Sequence, residues 1–267
     1  MAQRRKRRKP KTSKALLIVF FSLIVLIISG LAYLKYMSPS PGAGKGIPYA
    51  GDNSFSSYVA HFSKYSVFGI DVSEYQKKID WKKVASEEKL EFVFIRSTAG
   101  NNRVDKEFAI NWEQAGKHDI VRGAYHYYRP DENSVSQAQN FIKTVSLKQG
   151  DLPPVLDIEA YSRVQNTNSL KKGLLNWLDL VEKHYSVTPI IYTYPNMYKQ
   201  LFEGDERFNK YQVWISYLRI SGDAADIAPG WLFWQFSHTG RVNGIHGNVD
   251  INIFRGNTNN LQEIVVK

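Results

Sequence analysis

Pro153-Pro154-Val155-Leu156-Asp157-Ile158-Glu159, read as PPVLDIE, is the stretch that decides the fold. Proline lacks a backbone donor and sits at strand starts, so the pair marks where an apolar run begins. That run is too short for a stable helix and reads as a buried strand, Pro154–Ile158. It ends on acids. In a strand, residues i and i+2 face the same side, with Cα atoms about 6.6 Å apart at roughly 3.3 Å per residue. Asp157 and Glu159 therefore point into one space.

Working outward, Ser134–Ser146 before this strand and Ser169–His184 after it carry apolar residues at helical spacing. The same alternation runs through the rest of the chain. Further strands are predicted at Val67–Val72, Phe92–Ser97, Gly123–Tyr128, Pro189–Thr193, Gln212–Ser216, Leu232–Phe236 and Asn248–Phe254. Helices are predicted at Trp81–Glu88, with Asp80 as N-cap, and at Asp105–His118. Strand–helix alternation predicts a largely parallel sheet. After Tyr211 the helices fade, so the last strands should be joined by loops. The expected fold is α/β, a compact and incomplete β/α barrel with its chemistry at the C-terminal strand ends.

Composition sets the outer limits. A chain of 267 residues with 43% hydrophobic content can bury a real core, and 13% aromatics excludes a disordered chain. With no cysteine there is no disulfide scaffold, thiolate metal site or cysteine nucleophile. The net charge of +10 is concentrated at one end. Arg4, Arg5, Lys6, Arg7, Arg8, Lys9, Lys11, Lys14 and Lys35 precede the first acid, Asp52, which leaves 26 Lys+Arg against 25 Asp+Glu in the remainder. The body is nearly neutral, so no nucleic-acid partner is expected.

Ala15–Leu34 is an uncharged run of 20 residues. As a helix it spans roughly the 30 Å hydrocarbon layer, whereas the apolar part of a cleaved signal peptide is about 7–15 residues. The expected order is a basic cytoplasmic tail at 1–14 and a transmembrane signal-anchor helix at 15–34. A flexible, Pro/Gly/Ser-rich linker follows at 35–66, then a catalytic domain at 67–267. Basic residues before the span predict an extracytoplasmic domain on a bacterial membrane. Phe55, Tyr58 and Phe62 in the linker are placed to pack back on the domain.

Asp71 and Asp250 fall at further strand ends beside Asp157 and Glu159. Neighbouring carboxyls in a barrel mouth raise one another's proton affinity, and glycosidic cleavage needs one protonated and one ionised group. Tyr125, Tyr127, Tyr192 and Trp234 supply aromatic faces that stack on sugar rings, and Gln235 offers an amide to a sugar substituent. His126 alternates away from its tyrosine neighbours and reads as structural. Walker, HExxH and GxSxG motifs are absent from the sequence, and no metal or cofactor is expected.

FGIDVSEYQKKIDW, GAYHYYRP, PPVLDIE, IIYTY, VWISY and WQFS…VDINIF, in this order, resemble glycoside hydrolase family 25, the lysozymes (N-acetylmuramidases). The resemblance covers about Phe68 to Phe254. It implies a flattened barrel whose last strands lack helices. It also implies cleavage of the β-1,4 bond between N-acetylmuramic acid and N-acetylglucosamine in peptidoglycan glycan strands. Glu159 then matches the general acid/base, Asp157 its partner carboxylate, and Asp71 and Asp250 the acids that tune them. Tyr125, Tyr127, Tyr192 and Trp234 match sugar contacts. Asp157 either attacks the sugar or orients its acetamido oxygen, and the D-x-E pair favours the second. Where many members have a K-A-T-E-G-like segment, this chain has RSTAG, with Ala99 in place of the acid. The alternatives are a non-catalytic cell-wall glycan-binding protein and a hydrolase of another β-1,4 N-acetylhexosamine polymer. Apart from the membrane and glycan, no partner is expected, and the catalytic domain is expected to be monomeric.

Overall fold

The computed structural model describes residues 52–219 and 224–267. In chain order the regular elements are α1 (Phe55–His61), β1 (Phe68–Val72), α2 (Trp81–Val84), β2 (Leu90–Ala99) and β3 (Arg103–Val104). Then come α3 (Phe108–Lys117), β4 (Val121–Tyr127), α4 (Ser134–Thr144), β5 (Val155–Asp157), α5 (Thr167–Tyr185) and β6 (Ile190–Thr193). The chain ends with α6 (Pro195–Leu201), β7 (Gln212–Ser216), β8 (Trp231–Gly240), β9 (Val249–Phe254) and α7 (Thr258–Ile264).

Local chemistry fixes the helix ends. Asn133 caps α4 by accepting from the Ser136 amide, Asn166 caps α5 through Ser169, and Pro195 opens α6. Along α5, Leu170, Leu174, Trp177, Leu178 and Val181 recur at helical spacing and are all buried. Helix α2 stops at Val84, shorter than the predicted Trp81–Glu88. Helix α3 begins at Phe108 because Asp105 is drawn inward and its carboxylate accepts from the Glu107 amide instead of joining the helix.

The sheet order is β1-β9-β8-β7-β6-β5-β4-β2-β3, and β1 also pairs with β2, so eight strands close on themselves with β3 outside the ring. Pairing is parallel from β1 through β2, β4, β5, β6 and β7 to β8. Strand β9 departs from the parallel expectation and is antiparallel to both neighbours. The reason is connection length. Only residues 241–248 separate β8 from β9, and a parallel return needs a crossover of about a dozen residues or more.

Alternation sorts the side chains into two layers. Phe92, Phe94, Trp214, Phe233 and Phe254 fill the barrel interior, with Phe94 stacked on Trp214 at 4.4 Å. Phe68, Ile70, Ile95, Leu156, Trp234 and Ile253 face the surrounding helices and loops, where Trp177 of α5 joins the same cluster. Each large buried side chain contributes about 1.5–3 kcal/mol. A Cβ on Gly69 would stand 2.5 Å from both the ring and the carbonyl oxygen of Phe92, so only glycine lets β1 close against β2 here. Leu261 and Val265, in and after α7, join the interior cluster at the foot of the barrel, where antiparallel β9 delivers the chain.

The predicted linker, 35–66, is corrected in its second half. Residues 52–66 belong to the fold: Phe55, Tyr58 and Phe62 are buried, and the Phe55 amide donates to the Arg241 carbonyl at 2.8 Å. The Tyr58 hydroxyl pairs with Ser237 at 2.9 Å. Three aromatics at helical spacing outweigh the surrounding Ser and Gly. The predicted tail and membrane span, 1–34, and the linker's first part lie outside the described residues. Among the described residues no helix is long and apolar enough to cross a membrane.

Candidate active site

The four acids singled out in the sequence converge on the interior side of the barrel, at the end where the parallel strands finish; Asp250 reaches it from the N-terminal end of antiparallel β9, a correction to the expectation that all four close their strands. Asp71 and Asp250 are Cα partners across β1 and β9. Asp157 closes β5, paired on one side with Tyr127 and on the other with Tyr192. Glu159 lies just past that strand, partly open to solvent.

A chain of hydrogen bonds fixes Asp71. Its Oδ2 accepts from Gln235 Nε2 at 2.9 Å and from Asn252 Nδ2 at 2.8 Å. Asn252 is oriented by Trp214, whose indole N–H donates to Asn252 Oδ1 at 2.8 Å. Gln235 is oriented by Tyr192 and Ser216, whose hydroxyls donate to its Oε1 at 2.9 and 2.6 Å. Every link joins side chains of different strands, so closure of the barrel is what aims the carboxylate.

Burial dominates the proton affinities, because the surrounding side chains leave little water around the ionised forms even where Glu159 and Asp250 are partly open to solvent. It raises Asp71, and the hydrogen bonds from Asn252, Gln235 and Asp250 oppose the rise. Burial also lifts Asp250 well above the usual carboxylate range, helped by the charge of Asp71 and the bond to it. The two facing carboxyls are thus both held above the usual carboxylate range, so together they favour keeping a proton. Asp157 is held well above its ordinary value by burial and then by the charges of Glu159 and Asp71. Its Oδ1 is buried without a hydrogen-bond partner. For Glu159, burial and then Asp71 push the carboxyl up to about 7, against opposing effects from Tyr192 and Arg96. Near neutral pH the cluster holds a transferable proton on Glu159, which is partly open to solvent.

Among the predicted aromatics, Tyr125, Tyr127 and Tyr192 lie on the interior register. Tyr125 is electrostatically coupled to Asp71, Asp157, Asp250 and Arg96. Two assignments are corrected. Trp234 is 0% exposed and faces outward, packed on Phe62, Tyr65 and Trp231, with its indole N–H donated to the Tyr217 carbonyl. It occupies the even register of β8, while Phe233 and Gln235 face in. Gln235 is in the site, but its amide is committed to Asp71, Tyr192 and Ser216 rather than offered to a sugar. His126 faces outward as alternation requires. It meets Thr98 Oγ1 at 2.7 Å and Gln137 Oε1 at 3.2 Å and is stacked on Trp177, and burial pushes its pKa down to about 3.

Sequence reading missed Asn252 and Arg96. Asn252 stands two residues beyond Asp250, so the i, i+2 rule applied to Asp157 and Glu159 would have found it. Arg96, in the RSTAG segment, faces the same side as Phe92 and Phe94 and is 9% exposed. Its Nε donates to Asp105 Oδ2 at 2.8 Å. Its Nη2 lies 3.3 Å from Glu74 Oε1, but the angle makes no hydrogen bond. Glu74 also pairs with Arg103 and accepts from the Lys106 amide. Among the described residues no three His, Asp or Glu side chains are placed to hold a metal ion.

Comparison with known proteins gives one answer. The sequence pattern described as "Glycosyl hydrolases family 25" matches residues 70–245. The chain is 37% identical over 225 residues to "Uncharacterized protein YegX" of Escherichia coli O157:H7, covering 82% of this chain and 81% of that protein. It is 33% identical over 201 residues to "Lysozyme M1" of Streptomyces globisporus, covering 71% and 68%. The solved structure of a family 25 glycosyl hydrolase from Bacillus anthracis superposes with a TM-score of 0.69 at 28% identity, covering 76% of this chain and 94% of that one.

Proposed function

The chain belongs to glycosyl hydrolases family 25 and is a glycoside hydrolase of the lysozyme type, and on that premise we propose that it cleaves the β-1,4 bond between N-acetylmuramic acid and N-acetylglucosamine in peptidoglycan. The observation that carries the reading is the convergence of Asp71, Asp157, Glu159 and Asp250 at one end of the barrel, with Asp157 Oδ1 buried and unpartnered and with burial and Asp71 pushing Glu159 up to about 7. A group that must donate a proton at neutral pH needs a proton affinity near that pH.

Glu159 gives its proton to the glycosidic oxygen as the bond to the sugar breaks, and charge builds on the ring. Asp157, through its unpartnered oxygen, orients the acetamido group of that sugar, whose carbonyl oxygen attacks the anomeric carbon from below. Glu159, now ionised, takes a proton from the water that opens the resulting ring. The charge of Asp71, braced by Gln235 and Asn252, helps keep Glu159 protonated. Tyr125, Tyr127 and Tyr192 line the space a sugar would fill. The full chain should release soluble fragments with new reducing ends from peptidoglycan and leave chitin oligomers largely uncut. Cleavage of chitin alone would reassign the substrate.

The run Ala15–Leu34 anchors the enzyme, with its catalytic domain outside the cytoplasmic membrane. Protease added to intact spheroplasts should then remove the domain. Protection until the membrane is broken would reverse the topology.

A further inference from the structure

Tyr75 lies four residues beyond Asp71, in the turn that carries the chain away from the catalytic end of β1, and its side chain is 58% exposed. Single exposed aromatics are ordinary on protein surfaces. What sets this one apart is its mount. The turn Glu74–Gln76 is closed by a capping box in which the Ser73 hydroxyl accepts from the Tyr75 amide and Gln76 Oε1 accepts from the Ser73 amide. Gln76 Nε2 reaches across to the Asn248 carbonyl at 3.3 Å, tying the turn to the start of β9 two residues before Asp250. The Glu74 amide donates to Asp105 Oδ2 at 3.0 Å. Beneath the ring, 4.9 Å from its centre, lies the guanidinium of Arg96, itself held by Asp105 and Glu74.

Holding a cation under an aromatic face stabilises the ring orientation, all the more when that cation is shielded from water. One face of Tyr75 is therefore occupied by Arg96 and the other is open. Arg96 is the Cα partner of Tyr125 across β2 and β4, one strand from Asp157, and Gln76 reaches Asn248 beside Asp250, so the assembly stands at the rim of the catalytic mouth. A rigid, half-open aromatic face beside a carboxylate cluster fits a pyranose ring, whose C–H face packs on aromatic rings.

We propose that Tyr75, braced by Arg96, is a sugar-stacking platform that binds a glycan unit beyond the bond being cut. The identity of the ligand as a glycan strand rests on the lysozyme reading. The platform itself does not touch the reacting atoms, so it should contribute equally to substrate and transition-state binding. Its removal should then change KM and spare kcat.

The test uses the full chain on long glycan strands freed of stem peptides. Tyr75→Ala should raise KM about three- to tenfold, the size of an aromatic stacking contact, with kcat and Tm unchanged. Tyr75→Phe, which keeps the ring, should restore the parental KM. A parental KM in Tyr75→Ala overturns the proposal. So does a joint fall in kcat and Tm, which would mark a purely structural ring. If the parent cuts no glycan, the lysozyme reading fails and binding of the same strands decides the platform. Weaker retention by Tyr75→Ala would support it, and equal retention would end it.

Discussion

Glu159→Gln is expected to lower peptidoglycan hydrolysis by about 10²–10⁴-fold, the range for loss of a positioned general acid, while the fold persists. The amide keeps the shape of the carboxyl and cannot give up a proton. On the proposed mechanism Glu159 acts as an acid only while protonated, and burial followed by the charge of Asp71 pushes its pKa up to about 7. The kcat/KM profile should therefore fall on the alkaline side with a midpoint near that value, measured by initial rates across pH. A profile still rising well above this midpoint would assign the proton to another group.

The same protonation reaches into stability, and the sign follows from linkage. Folded Glu159, Asp71, Asp157 and Asp250 all bind protons more tightly than their ordinary values. Between the ordinary carboxylate range and about 7, the folded chain holds more protons than the unfolded one, so stability falls as pH rises through that window. Glu159→Gln removes one contributor. Its Tm should accordingly depend less on pH than that of the parent.

Asp157→Asn is the second large effect expected, on the order of 10²–10³-fold, as for loss of one preorganised electrostatic group. The buried Asp157 Oδ1 has no protein partner to lose, so the penalty should fall on turnover more than on folding. Rates and Tm measured together separate the two. The substrate decides the chemistry. Glycan whose muramic acid lacks the N-acetyl group should resist the parent enzyme if the acetamido oxygen is the nucleophile. Rapid cleavage of that glycan would instead make Asp157 the attacking group.

Much of this arrangement was legible because a strand has period two. PPVLDIE announced both its strand and the shared direction of Asp157 and Glu159, whereas Asp71 was legible from its place at a strand end and Tyr125 and Tyr192 from the family resemblance. Trp234 was misassigned for want of register. Aromatic residues serve barrel cores and sugar sites alike, and β8 has one on each side, at Phe233 and Trp234. Only pairing with β7 and β9 decides which faces inward. The role of Gln235 was hidden because its partner Asp71 lies 164 positions away. Arg96 drew no notice for a similar reason: its carboxylate partners, Glu74 and Asp105, come from separate loops. The direction of β9 was available from connection length, since residues 241–248 are too few for a parallel return.

The most direct measurement is the mass of the products that the full chain releases from peptidoglycan of defined structure, run beside Glu159→Gln. Disaccharide fragments ending in a reducing N-acetylmuramic acid, abundant with the parent and nearly absent with the variant, are the predicted result. Fragments ending in reducing N-acetylglucosamine, or equal yields from both proteins, would contradict the assignment of Glu159 as the proton donor at that bond.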